Sequence, residues 1–217
     1  MSNLTFSNRS IVDFKQKLTG GGARSNLFEV EIEYPTEINV TTGAEGPKEF
    51  GKFMIKAAQI PASNLGNIPV PFRGRVLPIA GDRTFAPWTV TIINDTNFRL
   101  RDVMERWSDG INDIQTAQGA TNPEDYQTTA TVLQLSRGPV KGLDRKVNSG
   151  EEIPVLRMYD FIGIYPNDIS AIPLDHGATD TIEEFQVTFN YLYYEVRGVK
   201  DGTSSRLIDR GETAQAT

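Results

Sequence analysis

The sequence predicts a mainly-β domain, a sandwich or barrel with one α-helix packed on it and extended assembly arms. Three observations carry that expectation. Apolar and polar residues alternate at strand spacing in about six or seven segments. One long segment alone has strong helical spacing, and the stretch 59–85 interleaves apolar residues with prolines. A chain of 217 residues can bury one sizeable core, so one decorated domain is expected.

Residues 1–22 read as an N-terminal arm. Ser10 can cap a short helix with Ile11, Phe14 and Leu18 on one side, and Gly20-Gly21-Gly22 ends it. From Phe28 to Tyr34 four apolar residues alternate with Glu29, Glu31 and Glu33, which predicts a strand with one core face and one wet face. Pro35, Gly43, Gly46, Pro47 and Gly51 mark 35–51 as a long loop or excursion, and an extended pattern resumes over 53–58. In 59–85, Ile68, Val70 and Phe72 alternate with Pro69 and Pro71. Proline cannot donate to a ladder, so this is an edge strand or an extended arm.

Trp88, Val90 and Ile92 alternate with Thr89 and Thr91 in the next strand. The helix follows over 96–112, capped by Asp95 or Thr96, with Val103, Met104, Trp107 and Ile111 on its apolar face. A polar loop at 113–125 leads to strands over 128–135, 155–165 and 184–195, with a Gly/Lys/Arg-rich connection at 137–152. In the last strand Phe185, Val187, Phe189, Tyr191 and Tyr193 are expected to face one way. The β domain is expected over 23–196, and 197–217, poor in apolar groups, as a C-terminal tail that is mobile or ordered by a neighbour.

Composition narrows the function. A hydrophobic fraction of 38% and a charged fraction of 23% describe a globular protein. No run of 18 apolar residues occurs, and 1–9 lack a signal-peptide core, so the chain is expected to stay off membranes and in the cytosol where it is made. The Asn-x-Ser/Thr triplets at Asn3, Asn8, Asn39 and Asn94 then read as chance. Zero cysteines remove disulfides, thiolate nucleophiles and zinc-thiolate sites. A net charge of −6 is the wrong sign for gripping nucleic acid.

Catalytic constellations are sparse. The single histidine, His176, lies in Leu174-Asp175-His176-Gly177 and reads as a surface turn, with a base or metal site beside Asp175 and Asp180 as the minor alternative. Glu151-Glu152 and Glu183-Glu184 are adjacent strand residues that point to opposite faces, which leaves neither pair a shared site. Gly20-Gly21-Gly22 lacks the Lys-Ser/Thr ending of a phosphate loop. No enzyme activity, cofactor or metal is expected.

An extended stretch carrying exposed Ile68, Val70 and Phe72 has two readings: it is covered by another chain, or it folds onto its own core. Here the sequence resembles a known family. Ile68-Pro69-Val70, Ala80-Gly81-Asp82-Arg83-Thr84-Phe85, Trp88-Thr89-Val90-Thr91 and Asn94-Asp95 resemble the tail tube proteins of T4-like, contractile-tailed bacteriophages. So do Ala23-Arg24-Ser25-Asn26-Leu27-Phe28 through Ile32, Gly163-Ile164-Tyr165-Pro166, and Glu184-Phe185-Gln186-Val187-Thr188-Phe189. Residues 35–51, 137–152 and the end after Tyr194 look longer than the family pattern.

The resemblance implies two packed antiparallel sheets flanked by a helix, a fold shared with the needle subunit of type VI secretion systems. It also implies six subunits closing into a ring whose inner sheets join in one barrel. Rings would stack into a tube inside a contractile sheath, between baseplate and tail-terminator proteins, in a virion assembled in the host cytoplasm. Genomic DNA would pass down the bore without specific binding. Residues expected at subunit contacts are Pro61, Asn64, Ile68, Val70, Phe72, Arg73, Arg75, Asp82, Arg83 and Phe85. Glu29, Glu31 and Glu33 face either the bore or outer solvent. Alternative functions are a tube-initiating baseplate or tail-completion protein of the same fold, a secretion-system needle subunit, and a monomeric carbohydrate- or receptor-binding module.

Overall fold

The computed structural model describes residues 11–18, 22–36, 46–137, 144–146, 152–200 and 203–206. Its elements in chain order are α1 (Ile11–Lys17), β1 (Phe28–Ile32), α2 (Pro47–Met54), β2 (Ile55–Ala58), β3 (Asn64–Phe72), β4 (Arg75–Thr84), β5 (Trp88–Ile93) and α3 (Arg99–Ile111). After these come α4 (Pro123–Tyr126), β6 (Thr128–Leu135), β7 (Asp144–Lys146), β8 (Glu152–Ile169), β9 (Glu184–Asn190), β10 (Tyr193–Lys200) and β11 (Thr203–Arg206).

The strands form two antiparallel layers that share β8. Its first part pairs with β6 and β10, and its last part pairs with β9, giving the path β1-β6-β8-β9-β5-β2. The handover falls at Gly163, whose φ is +68°, where the register against β6 slips between Thr128 and Thr129. A bulge with a left-handed residue bends the strand, and glycine takes that conformation without Cβ strain.

Between the layers, Val30, Ile32, Val132 and Phe161 meet Trp88, Val90, Ile92, Phe185, Val187 and Phe189, all buried. Trp88 stacks on Phe161 with centroids 4.4 Å apart. Helix α3 buries Leu100, Val103, Met104 and Trp107. Both indoles satisfy their N–H while buried: Trp88 donates to the Gln59 carbonyl at 2.8 Å and Trp107 to that of Tyr126 at 2.9 Å.

Five expectations need correction. The loop expected over 35–51 holds α2 at its end, because Pro47 suits the first helical position and Phe50 and Met54, one turn apart, both pack against the core. Helix α3 starts at Arg99, later than Asp95 or Thr96 implies, since Phe98 stands at its N-cap in the left-handed region. Asp95 nevertheless accepts hydrogen bonds from the Arg99 amide and Nε, each at 2.9 Å. The polar loop over 113–125 contains the start of α4. The last strand is interrupted at Tyr191 and Leu192, which turns Tyr193 outward while Phe185, Val187 and Phe189 stay buried. Strand β10 runs on to Lys200 and pairs with β11, inside the segment expected as a tail. Most of 137–152 and all of 207–217 lie outside the described residues.

Candidate assembly surface

Strands β3 and β4 build a ribbon that stands apart from both layers. They pair with each other and, among the described residues, with no other strand. The ribbon turns through Arg73 and Gly74, whose φ angles of +47° and +78° match the two-residue turn that follows strand twist. Ile68 lies opposite Ile79, Val70 opposite Leu77 and Phe72 opposite Arg75, so one face carries five large apolar side chains. Val76 and the prolines occupy the other face. All of these are exposed, Phe72 to 65% and Ile68 to 53%.

Pro69 faces Pro78, and Pro71 faces Val76. A pair without amide hydrogens can sit only at non-hydrogen-bonded positions, where the missing donors would have pointed away from the ladder. The ribbon therefore keeps its internal ladder while losing three outward donors. Its edges are blunted against strand addition, and its faces and tip are what a partner can use.

The predicted contact residues divide into three groups. Ile68, Val70 and Phe72 come together on one face, and Arg73 and Arg75 flank the tip. Asn64, Asp82 and Arg83 lie near the root, where Arg83 donates to Ser63 Oγ, and Pro61 is half-buried just before β3. Phe85 differs, because its ring packs within the chain on Tyr191 at 5.7 Å and Tyr194 at 5.8 Å, fastening the root to the core. Leu77 and Ile79 complete the apolar face and were not among the predicted residues; reading Arg73-Gly74 as a hairpin turn would have paired them with Val70 and Ile68.

The three glutamates of β1 meet α2. Lys48 pairs with Glu33 and lies 3.7 Å from Glu31, while Lys52 lies 3.3 Å from Glu31 and 3.8 Å from Glu29. Further across the same sheet face, Asp160 accepts from Thr131 at 2.9 Å and pairs with Arg197 at 2.8 Å. The wet face of β1 is thus an ionic surface whose three carboxylates are partly neutralised by the two lysines of α2. His176 lies on an exposed turn in which the Gly177 amide donates to Asp175 Oδ1 at 2.8 Å.

The family model for the phage tail tube protein matches residues 23–197. The chain belongs to the phage tail tube protein family. The tail tube protein gp19 of Enterobacteria phage T4 is 32% identical over 181 residues, covering 82% of this chain and 93% of that protein. Among solved structures, a chain of the anti-feeding prophage baseplate matches with a TM-score of 0.54 at 12% identity, over 82% of this chain and 97% of its own. A chain of an extracellular contractile injection system, in its extended sheath–tube complex, matches with a TM-score of 0.51 at 13% identity, over 85% and 97%. At such identities the structural matches establish the shared tail tube fold, and the sequence relatives establish the family. This member's sandwich is that fold, its 59–85 stretch being the free-standing β3–β4 ribbon.

Proposed function

We propose that this tail tube protein is a non-enzymatic subunit that closes into hexameric rings, and that the rings stack into the inner tube of a contractile tail. The observation that carries the reading is the β3–β4 ribbon. A two-stranded ribbon is marginal alone, and one with large apolar groups exposed on both faces is a liability unless other chains cover it. The tube would sit inside a sheath, between baseplate and terminator, and serve as the path for DNA in the virion. The anti-feeding prophage baseplate chain shares the fold, so fold alone fits a tube-initiating subunit as well; the sequence relatives favour the tube subunit itself.

DNA carries one charge per ~1.7 Å, so a bore that is not basic lets it slide. The −6 balance fits such a conduit. If the wet face of β1 lines the bore, Lys48 and Lys52 offset part of its charge and make it polar more than strongly acidic.

The test is negative-stain microscopy and light scattering of purified protein beside a variant carrying Ile68→Asp with Phe72→Asp. Tubes from the wild type and a folded, non-assembling variant are expected, since the charges enter a contact the monomer does not need. A strictly monomeric wild type at high concentration would refute the reading. Unfolding of the variant would show that the ribbon serves the chain's own core.

A further inference from the structure

The ribbon and a second, chemically opposite surface lie at the two ends of one layer. Strand β5 runs from Trp88, opposite Phe189, to Ile93, opposite Glu184. The ribbon leaves the layer at the Trp88 end, between Ala58 and Trp88. The connection from β8 to β9 leaves at the other end, where the Asn94 amide donates to the Glu183 carbonyl at 2.9 Å. Both its roots are held. Arg101 donates to the Ser170 carbonyl at 2.7 Å, and Asn94 Nδ2 donates to Glu183 Oε2 at 3.0 Å.

This connection encloses an open cleft of ≈ 590 Å³ whose apolar lining includes Ile172, Leu174 and Ile182. Leu174 and Ile182 are 81% and 72% exposed, and they share this one loop with Ile172. From Asp168 to Glu184 the chain carries Asp168, Asp175, Asp180, Glu183 and Glu184 and no lysine or arginine; Glu184 is paired with Lys56 of β2, which leaves the other four without a lysine or arginine partner among the described residues. The tip of the ribbon is the complement: exposed Phe72 flanked by Arg73 and Arg75. The Arg73 guanidinium lies 5.2 Å from the Phe72 ring centre, and neither arginine has a carboxylate partner among the described residues.

We propose that the ribbon tip of one copy seats in the β8–β9 cleft of a second copy, Phe72 against Ile172, Leu174 and Ile182, with Arg73 and Arg75 against the carboxylates of the loop. This rests on the polymer reading above and names the surface that receives the ribbon. Plug and socket are different patches at opposite ends of a layer, so the contact is heterologous and can propagate from copy to copy. Nine residues of β3 at roughly 3.3 Å each give an arm of roughly 30 Å, enough to reach past a subunit's margin. With the ribbon's edges blunted by prolines, contact falls to face and tip. There apolar burial supplies affinity and the unlike charges set orientation against the repulsion of subunits that each carry −6.

The chain has no cysteine, so introduced ones report contacts without background. Protein carrying Val76→Cys is assembled with protein carrying Leu174→Cys, and the tubes are treated with a short bismaleimide. A parallel mixture uses Ile114→Cys, even more exposed at 90% but outside the cleft. Covalent dimers several-fold more abundant with Leu174→Cys than with Ile114→Cys are expected. Tubes that cross-link no better through Leu174→Cys would overturn the docking and leave the polymer reading standing. Absence of tubes from the wild type would instead remove the polymer reading beneath it. As a second arm, Arg73→Glu with Arg75→Glu is expected to raise the critical concentration for assembly roughly tenfold or more, since the variant sets like charges against each other at the contact. An unchanged critical concentration would also overturn the docking.

Discussion

Gly163 decides where β8 leaves one layer for the other. A Cβ there would lie 2.7 Å from Leu192 Cδ1 and 2.8 Å from its Cγ, on a backbone with φ of +68°. Gly163→Ala is therefore expected to cost about 1–3 kcal/mol, seen as a lower urea midpoint at unchanged slope. An unmoved midpoint would show that the bend does not depend on glycine. Asp95 acts at the same scale. Burial disfavours its charge, but the hydrogen bonds from Arg99 prevail and hold its pKa below the ordinary 3.8. A depressed carboxylate stabilises the fold above its unfolded value and loses that contribution as pH falls through the folded one. Asp95→Ala should thus cost about 1 kcal/mol at neutral pH, with the gap to wild type closing in acid below pH 3.8.

Among the elements, helix α2 meets β1 through ion pairs of Lys48 and Lys52 with its glutamates. The hydrogen bond to Glu33 raises the pKa of Lys48. Burial works against the charge of Lys52, yet its bonds to Glu49 and Glu31 outweigh it and raise that pKa too. A raised lysine contributes below its unfolded value, so the docking should persist at neutral pH and loosen as pH climbs beyond 10.5. Lys48→Glu with Lys52→Glu should release the helix at a local cost of about 1–2 kcal/mol, since such pairs are individually weak. Amide exchange faster over 47–54 than in β5 and β9 would show it; uniform protection would mean that Phe50 and Met54 hold α2 unaided. Proline and glycine in Pro47-Lys48-Glu49-Phe50-Gly51 read as a loop because neither residue type reveals that Phe50 and Met54 have a core to pack on.

For the whole molecule, fold and assembly are separable. The core between the layers contains no residue of β3 or β4, while Gln59 and Phe85 fasten the ribbon's root. Replacing 64–84 with a short Gly/Ser linker should leave a monomer with thermal stability within about 1 kcal/mol of the parent, because a shorter flexible connection costs little entropy. The same protein should form no tubes at any concentration tested by light scattering. A large loss of stability would place the ribbon in the folding unit.

Periodicity in single segments was enough to read the mainly-β class, the helix with Trp107 at its centre, and the strands around Val30, Val90 and Val187. Each of these buries one face, and burial imprints its spacing on the residues that undergo it. The pairing of β3 with β4, the lysines of α2 that meet Glu29, Glu31 and Glu33, and the cleft between β8 and β9 came from the tertiary structure. Exposed apolar residues carry no periodic trace of what they will meet. A carboxylate's partner, here a lysine 15 to 23 residues away in the chain, depends on how the intervening segment folds back. Composition and spacing mark which segments are apolar, acidic or basic; the folded layers set which of them meet and which lie at opposite ends of one molecule, because strand register, not composition, sets where a connection emerges.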